Sequence, residues 1–322
     1  MVNSSYESYE YVQNLLGTTV SLILCEPNEN VAHKIFELIK VLESKLTVNR
    51  PVSEVMSVNL AAGQQPVKVS HSIFSLIAQA KDVSLMPGSC FNIAIGPLVK
   101  LWKIGFNGRF PPSQQQIDEK RLLIDPQDIE LNVEDQTVFL KKKGMEIDMG
   151  AIAKGYIADI VKAILLQNGI NQAIINLGGN VVALNQSPAN AEGFWHIGLR
   201  KPFSNNDELV GFLKVINKSV VTSGIYERYF VHKDTLYHHI LDSSTGYPLN
   251  NELESITIIS DTSLEGDLFS TLLYGLGYER AHKYLQKHRN LSAIFLLKNK
   301  TIKLANPHNF AFELTNHQYV MR

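Results

Sequence analysis

The chain has 322 residues, 45% hydrophobic and 19% charged, with a formal net charge of -1. That length supports one large or two modest domains around a sizeable core, and the near-zero charge creates no field favouring nucleic acid or an anionic membrane. Two distant cysteines, Cys25 and Cys90, make neither a disulfide framework nor a zinc site and fit a reducing compartment, and no apolar run reaches about 18 residues, the span of a bilayer.

Residues 1–14 carry Glu7 and Glu10 where a signal peptide needs a basic start. The next stretch, "TTVSLILC", Thr18 to Cys25, ends an apolar run in cysteine like a lipoprotein cleavage site. Leu24 stands where such a site needs a small residue, so the stretch reads as a strand and the protein is expected in the cytoplasm. "NVAHKIFELIKVLESKL" repeats apolar Val31, Ile35, Leu38, Ile39 and Leu42 at helical spacing. A second helical run covers residues 70–86. "GRFPPSQQQIDEK" reads as an exposed loop, and "DIELNVEDQTVFLKKKGMEIDMG" as a hairpin meander whose Lys141–Lys143 form a solvated edge.

From "EIDMGAIAKGYIAD", Glu146 to Asp159, a strand-like run turns through Gly150 into a helix. Ile152, Tyr156, Ile160 and Ile164 recur every four residues, and Gly169 is placed to end the helix. "QAIINLGGNVVAL" reads as strand, glycine turn, strand, and strands continue through "GFWHIGLR", "VGFLKVIN" and "ESITIIS". A late helix starts near Ser263, and strands fill the last thirty residues. Helices and meandering strands mix without regular βαβ alternation, which predicts an α+β fold, taken as one domain over 1–322.

Four motifs carry chemistry. The helix opening at Asp148, Ala151 and Lys154 offers free N–H groups, a partial positive charge and an ammonium, which suit phosphate; a glycine turn with a lysine reaching to solvent explains it equally. Asp267 and Thr271, four apart on a helix, share a face and are hard oxygen ligands suited to Mg²⁺; two ligands alone do not make a site. "YHHILDSSTGYP" places His239 before an Asp242–Gly246 turn, as a general base, a phosphate contact or an ordinary strand-end histidine. "VVTSGIYERYF" sets Thr222, Ser223 and Gly224 at a strand end, without the Gly-x-Ser-x-Gly of a hydrolase nucleophile. Gly178 and Gly179 mark a close backbone approach or a plain hairpin turn.

Taken in order, "GTTVS", "SEVMSVN", "FNIAIGPLVKLW", "DMGAIAKGYIAD", "NLGGN", "TSGIYERYF", "HHILDSSTGYP" and "SITIISD…DLFST" closely resemble the FAD:protein FMN transferases, the ApbE family, from about residue 15 to about residue 288. The resemblance implies an α+β fold of antiparallel strands and packed helices around a flavin cleft. It implies a reaction in which FMN moves from FAD, a substrate, onto a Thr or Ser hydroxyl of an acceptor flavoprotein with an FMN-binding domain, releasing AMP. It further implies Mg²⁺ held by Asp267, Thr271 and the Ala151 carbonyl, flavin-nucleotide contacts from Asp148, Lys154 and Ser89-Cys90-Phe91-Asn92, and His239 as catalytic base with Asp267 the next candidate. Gly178, Gly179, Thr222, Ser223, Gly224, His239 and Ile240, in the resembling motifs, are expected beside the flavin nucleotide.

Three positions depart from the family pattern. Asn92 replaces a carboxylate, Asn49 an aromatic residue and Leu16 a methionine, all in the flavin-facing part. Two other functions share the same residues. A Mg²⁺-dependent FAD pyrophosphatase would use water in place of the acceptor hydroxyl, and a non-catalytic flavin-binding protein would not need Asp267, Thr271 and His239 together.

Overall fold

A computed structural model describes residues 7–48, 50, 52–204 and 208–322; Asn49 lies outside them. Among these residues nine strands form the central sheet, in the order Tyr9–Leu15, Thr18–Leu24, Ala173–Leu177, Asn180–Leu184, Lys218–Gly224, Leu253–Ser260, Ser292–Leu297, Thr301–Ala305 and Val320–Met321. All neighbours are antiparallel except the last pair. Among the described residues seven helices accompany it: α1 Glu29–Leu46, α2 Glu54–Leu60, α3 His71–Ser84, α4 Gly96–Trp102, α5 Gln114–Arg121, α6 Ala153–Gln167 and α7 Ser263–Lys287.

Successive strand residues point to opposite faces, and here both faces are covered. Ile175, Ile258 and Phe295 pack with helix residues such as Ile35, Ile77, Val161 and Leu273. Their neighbours Ile174, Ile259 and Ile294 pack with Trp195, Val210 and Leu213, from a second sheet of Trp195–Arg200, Leu209–Val215 and Ala311–Leu314. Coverage on both sides is why all eight residues of Leu253–Ser260 are buried, apolar or not.

Two expectations are corrected. The stretch read as an exposed loop contains α5, because Ser113 and Gln116 form a reciprocal capping box and Ile117 is fully buried. The meander is shorter than expected: Ile129–Asn132 pairs with Thr137–Leu140, and Glu146 makes only an isolated bridge to Ile95. The lysine edge is solvated as expected, with Lys141 and Lys142 paired to Glu130 and Asp128.

α7 has a local cause for each of its features. Thr262 caps its start by accepting from the Glu265 N–H. Gly277 breaks it at φ 70°, ψ 170°, and the Tyr278 N–H freed there donates to Glu252 Oε1 at 2.6 Å. The start of α7 lies against α6 at Gly155, where an added β-carbon would stand 2.4 Å from the Ser263 carbonyl oxygen. Gly155→Ala is therefore expected to force the helices apart, at about 1–3 kcal/mol. Chemical denaturation measures this, and an unchanged midpoint would refute the close contact.

Candidate functional site

The polar groups singled out in the sequence gather at one end of the central sheet, where Ala173–Leu177 turns through Gly178-Gly179 and Lys218–Gly224 ends. At the opposite end of the same strands, a cavity of about 380 Å³ is lined by Asn171, Gln172, Asn185, Gln186, Ile216 and Asn217. None of the candidate residues lines it.

Asp267 is the centre of the site. It is buried in α7, with Oδ2 accepting from the Gly155 N–H at 2.5 Å and Oδ1 from the Asn180 side-chain amide at 3.1 Å. Burial pushes its carboxyl up to about 6, against the opposing pull of Lys154, Gly155 and Asn180. Thr271 follows one turn later, its carbonyl accepting from Cys90 Sγ at 2.9 Å. Ser223 Oγ donates to Ser270 Oγ at 2.9 Å, and Ser270 Oγ to the Asp267 carbonyl at 3.1 Å. Asp159, one turn beyond Gly155 on α6, accepts from the N–H groups of Ser263 and Leu264 at 2.8 and 2.9 Å. One acid thereby locks the start of α7 to α6.

Two cations act in the site. Among the described residues, neither Lys154 nor Arg228 has a carboxylate within ion-pair distance. Lys154 acts electrostatically on both Asp267 and His239, and Arg228 on both His239 and Asp148. Asp148 is half-buried, accepts from the Gly150 N–H at 2.7 Å, and is raised by desolvation.

The two adjacent histidines differ in kind. His238 is buried; Ile240 N–H donates to its Nδ1, so its Nε2 carries the proton and donates to the Leu249 carbonyl at 2.8 Å. Burial holds it down to about 4. His239 is half-buried, and both its backbone N–H and Nδ1 donate to the Arg228 carbonyl, at 3.1 and 3.3 Å. A carbonyl only accepts, so Nδ1 carries the proton and Nε2 keeps its lone pair. Desolvation first, then Arg228, hold His239 down to about 3.

The His238 shift has a consequence for stability. A histidine whose folded value lies at about 4, below the unfolded value of about 6.5, binds its proton more tightly when unfolded. Its contribution is complete above the unfolded value and is lost as pH falls toward the folded one. Between pH 7 and pH 5 it is expected to account for about 2 kcal/mol. Urea denaturation of wild type and His238→Gln at both values measures this; equal pH sensitivity in the two proteins would refute it.

Other predicted residues have structural employment. Phe91 and Ile240 turn their side chains into the apolar core. Asn92 is buried, donating to the Ile124 carbonyl and Ser243 Oγ and accepting from the Ala94 N–H. A carboxylate there could not make the first of these bonds. Ser89 Oγ donates to the Phe91 carbonyl, and Thr222 pairs with Thr257 at 2.8 Å. Gly178 backs onto Thr18, with φ 64°, while Gly179 has φ 92° and faces open space. A β-carbon on Gly224 would strike the Tyr226 ring. Leu16 adopts φ 56° in the turn between the first two strands, a conformation unusual for leucine. Ala151 is exposed, just ahead of α6.

Sequence reasoning assigned no role to Arg228, Asn180, Gly155 or Asp159. All four sit inside the quoted motifs, but only their partners across the fold reveal them. Among the described residues no three His, Cys, Asp or Glu side chains cluster as a metal site. A cation held here would have one buried carboxylate, a hydroxyl and a backbone carbonyl. That donor set fits Mg²⁺, which keeps waters and takes further oxygens from substrate phosphates.

By fold the chain is an α+β protein in which one large, mainly antiparallel sheet is enclosed by helices and a smaller sheet, with a polar site at one sheet end. It belongs to the ApbE family, whose sequence model matches residues 16–295. A relative from Klebsiella pneumoniae (strain 342), described as an FAD:protein FMN transferase, is 48% identical over 304 residues, 94% of each chain. One from Treponema pallidum (strain Nichols) with the same description is 33% identical, covering 84% of this chain and 78% of its own. The crystal structure of the ApbE protein of Thermotoga maritima matches with a TM-score of 0.81 at 27% identity, over 96% of this chain and 97% of that one. The flavin transferase ApbE of Vibrio cholerae, at 20% identity and a TM-score of 0.80 over 96% and 97%, shares the fold.

Proposed function

We propose that this protein is a Mg²⁺-dependent FAD:protein FMN transferase, moving FMN from FAD onto a Thr or Ser hydroxyl of an acceptor flavoprotein and releasing AMP. The observation that carries it is the buried Asp267 carboxylate, acted on by Lys154, in a site whose two cations, Lys154 and Arg228, have no carboxylate within ion-pair distance among the described residues. Unpaired cations beside a desolvated acid suit a ligand that brings both negative charge and a divalent cation, as a pyrophosphate does. The description shared by the K. pneumoniae and T. pallidum relatives supports the same reading.

In this reading Lys154 and Arg228 bind the dianionic pyrophosphate of FAD and hold it in line for attack. Asp267, Thr271 and the Ala151 carbonyl would hold Mg²⁺, which when bound neutralises charge on the phosphoanhydride. The acceptor hydroxyl oxygen attacks the phosphorus on the FMN side, and the bond from that phosphorus to the bridging oxygen breaks. AMP leaves with the bridging oxygen and its electron pair. The hydroxyl proton goes to His239 Nε2, whose lone pair is kept free by the Nδ1 bond to Arg228. Neutral in the ligand-free site, His239 gains basicity as bound phosphate offsets the two cations.

Action in the cytoplasm is part of the proposal. It is supported by Cys25, whose thiol donates to the Gln172 carbonyl at 3.3 Å beside buried Leu24, a poor setting for a lipid anchor. No helix among the described residues is long and apolar enough to cross a membrane. Mass spectrometry of the cellular protein tests this, and lipid on Cys25 would refute it.

The deciding experiment incubates the protein with FAD, Mg²⁺ and candidate FMN-domain flavoproteins. Covalent flavin fluorescence on a denaturing gel, with stoichiometric AMP, is the expected result. Free FMN and AMP without labelled acceptor would instead identify a pyrophosphatase, and no AMP at all a flavin-binding protein.

A further inference from the structure

Asn180 stands outside every role assigned so far, yet it is 1% exposed and both ends of its amide are used. Its nitrogen donates to Asp267 Oδ1 at 3.1 Å, and its oxygen accepts from Ser263 Oγ at 2.5 Å. Ser263 is itself fully buried at the first position of α7, where the Asp159 carboxylate holds its N–H. The other Asp267 oxygen is held by the Gly155 N–H. The result is a closed ring through three elements: Asp159 and Gly155 on α6, Ser263 and Asp267 on α7, and Asn180 at the start of its strand.

We propose that Asn180 is a positioning residue for Asp267 as a divalent-cation ligand, with Ser263 holding the far end of the Asn180 amide. An aspartate side chain rotates freely about its last bond unless its two oxygens are tied separately. Here one tie comes from the α6 backbone and the other from Asn180, and together they set the carboxylate plane. The Asn180 amide has one direction here, because the Asp267 carboxylate only accepts. Flipped, Asn180 would aim its oxygen at the Asp267 carboxylate. With the nitrogen therefore facing Asp267, the oxygen is left for the Ser263 hydroxyl, which donates to it. Partners that orient a metal ligand in this way typically contribute about 10- to 100-fold in metal affinity.

This inference rests on the metal reading of Asp267 given above. Its test measures Mn²⁺ binding to the metal-stripped full chain by electron paramagnetic resonance, without substrate, in wild type, Asn180→Ala, Ser263→Ala, Asp267→Asn and the Asn180→Ala/Asp267→Asn double variant. Asn180→Ala is expected to weaken Mn²⁺ by about 10- to 100-fold, Ser263→Ala to weaken it less in the same direction, and the double variant to bind no more weakly than Asp267→Asn alone. In turnover, the Mg²⁺ concentration at half-maximal rate should rise while the rate at saturating Mg²⁺ falls little. Wild-type Mn²⁺ affinity in Asn180→Ala, or an added loss in the double variant, overturns the proposal and leaves the metal reading intact. Wild-type affinity in Asp267→Asn overturns both. Should Asn180→Ala not fold, Ser263→Ala, which leaves Asn180 in place, decides the question by the same measurement.

Discussion

Asp267→Ala is expected to lower FMN transfer by at least about 10²-fold, the order of loss when a charged group that stabilises a transition state is removed. The substitution takes the only carboxylate from the proposed cation site. It also strands the buried Gly155 N–H and Asn180 amide, each at about 1–3 kcal/mol, and leaves Lys154 without its nearby counter-charge. Asp267→Asn keeps the shape but not the function, because the new amide would turn a donor toward one of the two donors already there. Chelation of wild type by EDTA is expected to reproduce the loss, and added Mg²⁺ to reverse it. Single-turnover transfer at saturating FAD checks both halves. Full transfer by a metal-free Asp267→Ala enzyme would remove Asp267 from the site.

His239→Ala is expected to slow transfer by about 10²- to 10⁴-fold, the range for a positioned general base, with FAD affinity nearly unchanged. The hydroxyl it serves is a weak nucleophile at neutral pH. His239 has its Nδ1 committed to Arg228 and its Nε2 free, whereas both nitrogens of His238 are bonded inside the protein. His238→Ala is therefore expected to retain transfer while losing stability. Burial and Arg228 hold His239 down to about 3, so in the free enzyme it is already neutral across the working range. The acid limb of kcat/KM should then not move when His239 is replaced. If His238→Ala is the slow variant, the roles are exchanged; if neither slows transfer, the proton goes elsewhere, with Asp267 the next candidate.

Much of this arrangement was legible in the chain. α1, α3, α6 and α7 follow apolar spacing and end signals that act within a few residues, and the Gly178-Gly179 turn follows from glycine's freedom at positive φ. Asp267 and Thr271 were readable because helical spacing alone puts them on one face. α5 is not legible as a helix because its Pro- and Gln-rich setting masks the cap formed by Ser113 and Gln116. The α6 repeat is apolar as its spacing implies, with Ile152 fully buried and Tyr156 and Ile164 packed on the core, but the most deeply buried face of the helix runs through Gly155, Ile157, Ala158, Val161 and Leu165. The inner face is defined by α7 and the sheet, and local spacing does not contain them.

By itself, then, the sequence determined whatever depends on neighbours in the chain: the helices, the hairpin turns, the α+β class, the shared face of Asp267 and Thr271, and the ordered motifs that mark the ApbE family. Only the tertiary structure decided which adjacent histidine is buried and which is available, because Leu249 and Arg228, their partners, lie 11 residues from each along the chain. It alone turned Phe91, Asn92 and Ile240 inward, and it alone tied Asp267 to Gly155 and Asn180, 112 and 87 residues away. The physical reason is range. Backbone propensity and side-chain spacing act over a turn or two, whereas desolvation, charge and hydrogen-bond partnership depend on what the fold brings within a few ångströms.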